Sequence, residues 1–238
     1  MSENAEVTRL VDEAGPTAGP GATVETGRLD RSLEMGKSIA PRSAAAVPGG
    51  SENGLPEVVA LRDGYIVGIR AVSLGDGKLL RRMFSRLSRE SIYWRFHMPY
   101  PSVPEWAVAL FTGVDEPQGK YLVAVAGNEI VGHAMYARLE DGRSADIGIL
   151  VEDEWQRRGI GKLLLSRLAA AARRRRIEAF TGVVLGENRP MMRLVAAVFT
   201  GVRFSVRGGQ YEIYAPLPSL DTAQDPYLRL HHRGGKGR

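Results

Sequence analysis

The sequence predicts an α/β domain of the α+β kind, with a mixed but mostly antiparallel sheet flanked by helices. Three observations predict it. Residues 121–151 read as three strand-like runs joined by Gly127-Asn128 and Asp141-Gly142, pairs suited to tight turns, so they form an antiparallel meander. Asp146 to Lys162, D-I-G-I-L-V-E-D-E-W-Q-R-R-G-I-G-K, passes from a strand through a charged break at 152–155 into a glycine loop that opens a helix. Residues 180–215 then read strand, helix, strand, strand.

Order is expected from near Val58. Tyr65 to Val72 has the β-branched character of a strand, after a turn at Asp63-Gly64. In Asp76 to Leu87 the residues Leu79, Leu80, Met83, Phe84 and Leu87 fall on one helical face. Ser88 can cap the helix that follows, with Ile92, Tyr93, Trp94 and Phe96 expected in the core. A proline-bounded loop, 97–103, leads to a short helix from Pro104 to Thr112. The meander strands are Tyr121–Ala126, Glu129–Leu139 and Ser144–Val151. Gly161 to Arg175 is a helix burying Leu164, Leu168 and Ala171 or Ala172. Phe180–Leu185 is a strand, and Asn188–Val198 a helix with Pro190 in its first turn. Val202–Val206 and Gln210–Ala215 are strands around Arg207-Gly208-Gly209.

This domain, 58–217, lies between an N-terminal arm, 1–57, and a polar tail, 218–238. Residues 1–54 hold no aromatic residue, eight glycines and four prolines. They cannot bury enough apolar surface to offset the roughly 1–2 kcal/mol per residue of backbone ordering. Both ends are therefore expected to be disordered, apart from a helical turn near Ala5 to Ala14.

Of the 238 residues 44% are apolar, enough for one substantial core. With no cysteine, disulfides, thiolate zinc sites and a cysteine acyl-enzyme are excluded. No segment approaches the ~20 apolar residues of a membrane span, and no secretory leader is visible, so a cytoplasmic location is expected. The net charge of +5 is concentrated in the domain, where residues 55–217 hold 23 Lys/Arg against 17 Asp/Glu. That surplus suits a polyanionic small molecule or nucleic acid. The run Arg173–Arg176 sits at a helix C-terminus, where the dipole favours cations, and is expected to be a solvated helix end. His97 and His133 are isolated, and no spacing suggests a metal site.

Gln156 to Gly161 is a Q-x-x-G-x-G loop. Unpaired N–H groups at a helix start, the helix dipole and glycines that let the backbone approach closely make such a loop an anion site. A Walker loop ending at Gly161-Lys162 would need Gly in place of Gln156 and Ser or Thr in place of Leu163. A dinucleotide fingerprint from Gly159 would need Gly in place of Leu164.

The stretch resembles the acyl-CoA motif of the GNAT superfamily of N-acetyltransferases, and the order of elements from 58 to 217 is similar to that fold. R-D-G-Y-I-V-G-I-R-A-V at 62–72, R-L-S-R-E-S-I-Y-W-R-F at 86–96 and Glu187-Asn188-Arg189-Pro190-Met191-Met192 resemble in particular the catalytic domain of bacterial protein-lysine acetyltransferases. The resemblance implies a splayed central cleft that takes acetyl-CoA as co-substrate. It implies main-chain contacts from Ile149, Leu150 and Val151, and a pyrophosphate cradle of Arg157, Arg158, Gly159, Ile160, Gly161 and Lys162 in a turn begun by Gln156. Asn188 matches an Asn that touches the CoA arm, and the early helical region of Tyr93, Trp94 and Phe96, expected in the core, is also where the family places acceptor-binding residues. A Tyr that protonates the departing thiolate in many members is replaced by Val195; Tyr211 and Tyr214 are other sources, which spacing does not separate.

Asp146 matches a catalytic Glu early in the fourth strand of the lysine acetyltransferases. Being one methylene shorter, it is expected to act through water, and strand alternation points it away from Ile147, Ile149 and Val151. The implied reaction is direct attack of a primary amine on acetyl-CoA in a ternary complex, with a protein lysine as acceptor. The alternatives are a small-molecule amine, or a catalytically weak acyl-CoA-binding sensor. No metal, membrane or nucleic-acid partner is implied.

Overall fold

The computed structural model describes residues 57–112 and 118–217. Residues 1–56 of the expected arm, with its helical turn, and the tail lie outside the described residues. The described chain forms strands β1 (Glu57–Ala60), β2 (Ile66–Ala71), β3 (Gly119–Ala126), β4 (Glu129–Arg138), β5 (Ser144–Val151), β6 (Ala179–Leu185), β7 (Arg203–Arg207) and β8 (Gln210–Pro216). The helices are α1 (Gly77–Ser85), α2 (Arg89–Phe96), α3 (Glu105–Phe111), α4 (Ile160–Arg174) and α5 (Arg189–Val198). Single 3-10 turns, Leu74–Asp76 and Asp153–Trp155, precede α1 and the loop before α4.

All eight strands belong to one sheet in the order β1-β2-β3-β4-β5-β6-β8-β7. The meander extends backwards through β2 and β1. β1 is an element that sequence reading left out, held by antiparallel pairing of Glu57–Ala60 on Ile66–Ile69 and by the ion pair of Glu57 with Arg167. The pairing of β5 with β6 is parallel, while the other neighbours run antiparallel.

That parallel pairing covers only Ser144–Ala179, Ala145–Phe180 and Asp146–Thr181. Beyond it β5 stays paired with β4 as far as Val151, and β6 stays paired with β8 as far as Leu185. The two central strands therefore part at Asp146 and Thr181, leaving the β6-facing edge of residues 147–151 without a strand partner.

The faces of the sheet carry separate cores. One packs α4 and α5, through Leu164, Leu165, Leu168, Met192, Val195 and Val198, on Ala134, Tyr136, Ile147, Phe180, Ile213 and Ala215. The other packs α1 and α3, through Leu80, Met83, Phe84, Val108 and Phe111, on Tyr121, Val123, Met135 and Leu150. Each Leu, Ile, Val, Met or Phe among them contributes roughly 1.5–3 kcal/mol when fully buried. α2 lies against β5 on this second face, capped by Ser88, whose hydroxyl accepts from Ser91 N–H at 3.1 Å.

Tyr93 and Trp94 correct the sequence reading, because neither is a core residue. Tyr93 is 38% exposed and Trp94 half-buried, while Phe96 does pack on the second core. The arginine run also differs from a solvated end. Arg173 is buried, and Arg175 reaches back to donate to the Gly119 carbonyl at 2.6 Å and the Tyr136 hydroxyl at 3.0 Å.

Candidate active site

Alternation along β5 sends its side chains to opposite faces as expected. Ile147 enters the α4–α5 core, Ile149 packs against that core, and Leu150 joins the α1–α3 core. Asp146 lies on the α1–α3 face, at the residue where β5 leaves β6. One register row runs Ala137, Asp146, Thr181, Tyr214, Arg203 across the sheet. Asp146 Oδ1 lies 3.8 Å from where a side chain on Gly182 would begin, so its carboxyl faces the opening between the strands. Burial pushes that carboxyl up to about 7, against the pull of the nearby Arg95 charge. An Asp at a solvent-facing strand edge would show no such shift.

Arg95 is a member of this site that sequence reading missed. It rises from α2 and lays its guanidinium on Gly148, where a Cβ would stand 2.7 Å from Cζ and 3.2 Å from Nε. Phe96 and Phe111 flank it, with ring centroids 5.7 and 5.2 Å away. Nη2 points to the Met135 sulfur at 3.7 Å, and Nε is buried without a partner. Among the described residues, Arg95 and Asp146 make no direct ion pair. A glycine inside an apolar strand was the available signal, since such a glycine often marks a close approach by another group. His133 stacks on Phe111 at 4.4 Å with Nε2 unpartnered. Burial, helped by the Arg95 charge, lowers its pKa to about 3, so it is neutral and a poor proton acceptor at neutral pH.

The glycine loop presents backbone. Gly159 caps α4 with φ 94°, a conformation that favours glycine, and nothing lies within 4 Å of its absent Cβ. The ladder of α4 starts with Leu163 N–H to the Gly159 carbonyl at 3.0 Å, so the N–H groups of the first turn, Ile160 to Lys162, have no partner within the helix. Arg157, with φ 59°, and Lys162 are exposed beside it. This end is suited to an anion.

The side chains of other members of the predicted cradle are engaged elsewhere, so Ile160 and Gly161 have only their main-chain N–H groups to offer an anion. Ile160 is buried in the core. Gly161 faces Leu194 of α5, whose Cδ2 would lie 3.0 Å from an added Cβ, so this glycine serves helix packing. Arg158 is held between Tyr65 and Trp155, with centroids 4.9 and 5.1 Å away, and pairs with Asp63 at 2.9 Å. Gln156 Nε2 donates to the Val151 carbonyl at 3.1 Å and to Ser91 Oγ at 3.2 Å. Asp153 accepts from Ser88 N–H and from the hydroxyls of Ser88 and Ser91, at 2.9, 2.7 and 2.8 Å. These bonds fasten the loop to the start of α2.

Asn188 is buried as the N-cap of α5, its Oδ1 accepting from Met191 N–H at 3.1 Å. Val195 is fully buried. Of the two tyrosines on β8, Tyr211 packs against the α4–α5 core, whereas Tyr214 lies in the Asp146 row. Two strand spacings put Tyr214 about 10 Å from Asp146. Among the described residues no cluster of three or more His, Asp or Glu could hold a metal, and no helix is long and apolar enough to cross a membrane.

The family model described as the acetyltransferase (GNAT) family matches residues 81–198. Among solved structures, the GNAT domain of S. lividans PAT is 30% identical with a TM-score of 0.64, covering 68% of this chain and 97% of that one. The L-amino acid N-acetyltransferase AaaT of Escherichia coli (strain K12) is 27% identical over 123 residues, 48% of this chain and 74% of that protein. A GNAT superfamily phosphinothricin acetyltransferase from Sinorhizobium meliloti, solved in complex with AcCoA, shares the fold. It has 20% identity and a TM-score of 0.53, covering 67% of this chain and 92% of that one.

Proposed function

Because the chain belongs to the GNAT acetyltransferase family and so catalyses acyl-CoA-dependent acetyl transfer, we propose that it moves an acetyl group from acetyl-CoA to a protein lysine, with Asp146 as the base. The observation that carries this reading is the position of Asp146 at the parting of β5 and β6, where burial lifts its carboxyl to about 7. A lysine ammonium has a pKa of about 10.4, so only about one molecule in two thousand carries a free lone pair at neutral pH. A carboxylate poised near 7 is matched to taking that proton, directly or through a water.

Acetyl-CoA fits the residues present. The free edge of β5 at Ile149, Leu150 and Val151 can hydrogen-bond an extended arm through its backbone. One main-chain group there, the Val151 carbonyl, is already taken by Gln156. N–H groups of Ile160 to Lys162 that have no partner within the helix, with the exposed Arg157 and Lys162 beside them, suit the pyrophosphate. Arg158 and Gln156 act on that loop indirectly, by fixing its shape. The amine adds to the thioester carbonyl, the C–N bond forms, and the C–S bond breaks. Backbone N–H groups on the free edge stabilise the oxyanion. The thiolate, with a pKa near 8.5, can take its proton from solvent in place of a tyrosine at Val195.

The choice of lysine rests on the motif resemblance and on the 30% identity to the GNAT domain of S. lividans PAT. A small amine as acceptor is the second reading, favoured by the likeness to an L-amino acid N-acetyltransferase. CoA release from acetyl-CoA should be compared across lysine peptides, free amino acids and polyamines. Faster turnover with free amino acids than with every peptide would overturn the lysine reading.

A further inference from the structure

A cavity of about 550 Å³ opens between α2 and the β6–α5 loop, with Glu90, Tyr93, Trp94, Tyr100, Arg89 and Glu187 on its wall. α2 lies on β5, and Glu187 stands two residues past the end of β6. A cavity walled by both therefore bridges the gap between the two diverging strands, on the face where Arg95 and Asp146 meet the sheet. Three aromatic rings and two carboxylates, set against a single arginine, form a wall that attracts positive charge. Aromatic rings attract an ammonium or guanidinium that stands over their faces, and the carboxylates add to the attraction. Nothing in the proton transfer at Asp146 uses these side chains.

We propose that this cavity binds a second positive charge on the acceptor, so that the preferred substrates are lysines with arginine or lysine close by in sequence. This rests on the protein-lysine reading above and narrows it to basic segments. An acidic flank would meet Glu90 and Glu187 and be turned away. Arg89 limits the preference by offering one favourable partner to an acidic flank.

The test uses peptides with one lysine flanked by arginines, alanines or glutamates, assayed with the full chain. KM should rise by about tenfold from the arginine to the alanine series and further for glutamate, with kcat little changed. In the double variant Glu90→Gln, Glu187→Gln the three series should converge while the KM for acetyl-CoA stays put. Both side chains are exposed, so the variant should fold. Binding of the same peptides bearing acetyl-lysine, measured by calorimetry, reports the cavity without turnover. If no lysine peptide is acetylated yet the arginine-flanked one still binds best and loses this in the double variant, the cavity stands and the lysine reading falls. Equal affinity for the three series, or a preference that survives in the double variant, would overturn the cavity proposal.

Discussion

On the α4–α5 side of the sheet the core is aliphatic and aromatic, and the helices approach closely enough for Gly161 to face Leu194. On the α1–α3 side the same sheet carries Asp146, Arg95 and His133 among aromatic rings, with two of their nitrogens left without partners. Burying such groups costs stability unless they are satisfied, so the second face gives up packing energy to hold charge beside the opening between β5 and β6. One face holds the cleft in shape, and the other supplies its chemistry.

The sharpest way to break this division is Asp146→Ala. If proton removal belongs to the α1–α3 face alone, kcat should fall by about 10²–10⁴ while acetyl-CoA affinity is unchanged. CoA release and calorimetry measure the two quantities, and a matching loss of affinity would mean that the faces are not separable. The next largest effect concerns stability. The Asp146 carboxyl titrates at about 7 in the folded chain against 3.8 ordinarily, so between those values the folded state keeps a proton that the unfolded state has released. Stability therefore falls as pH rises through that window, by at most about 4 kcal/mol. Asp146→Asn should lie close to the parent in urea midpoint near pH 4 and gain progressively on it up to pH 8. A constant difference across that range would refute the burial argument.

The chemistry-bearing strand was legible in the sequence because alternation and flanking turns fixed its ends, and Ser144–Val151 is what forms. The α1–α3 half of the site was less legible. Arg95 matters only because α2 crosses β5 at Gly148, a long-range packing fact that helical periodicity within 89–96 cannot contain. Tyr93 and Trp94 looked like core because they are large and apolar, but they line the cavity shared with Glu187. The four residues of β1 are too few for periodicity to register, and become a strand through pairing with β2. In the loop, the resemblance implied a cradle at 157–162 in a turn begun by Gln156, and what it could not show is that the side chains of Gln156, Arg158 and Ile160, with the packing of Gly161, brace the turn and the helix start.

A side chain at Gly161 tests the structural face. Its Cβ would stand 3.0 Å from Leu194 Cδ2, and the rest of a leucine would press α5 away from α4. Gly161→Leu should cost about 1–3 kcal/mol of stability and weaken acetyl-CoA binding, leaving the pH dependence of kcat unmoved. Urea unfolding and calorimetry check it, and a change in the pH profile would show that the two faces communicate.

The smallest expected effect is the most discriminating for the other face. Arg95 holds the Asp146 carboxyl below the value that burial alone would impose, so Arg95→Met should move the acid limb of kcat/KM to higher pH. A shift of one pH step would lower kcat/KM by about tenfold at pH values below the limb and leave it unchanged well above. Loss of packing gives a different signature, a drop of equal size at every pH. Gly148→Ala provides an independent route to the same end, because its methyl group would occupy the space of the Arg95 guanidinium while leaving the charge on the protein. If the guanidinium acts through its position over the sheet, both variants shift the limb in the same direction. If only Arg95→Met does so, its charge works from wherever the side chain relocates, and the close fit over Gly148 is a matter of packing.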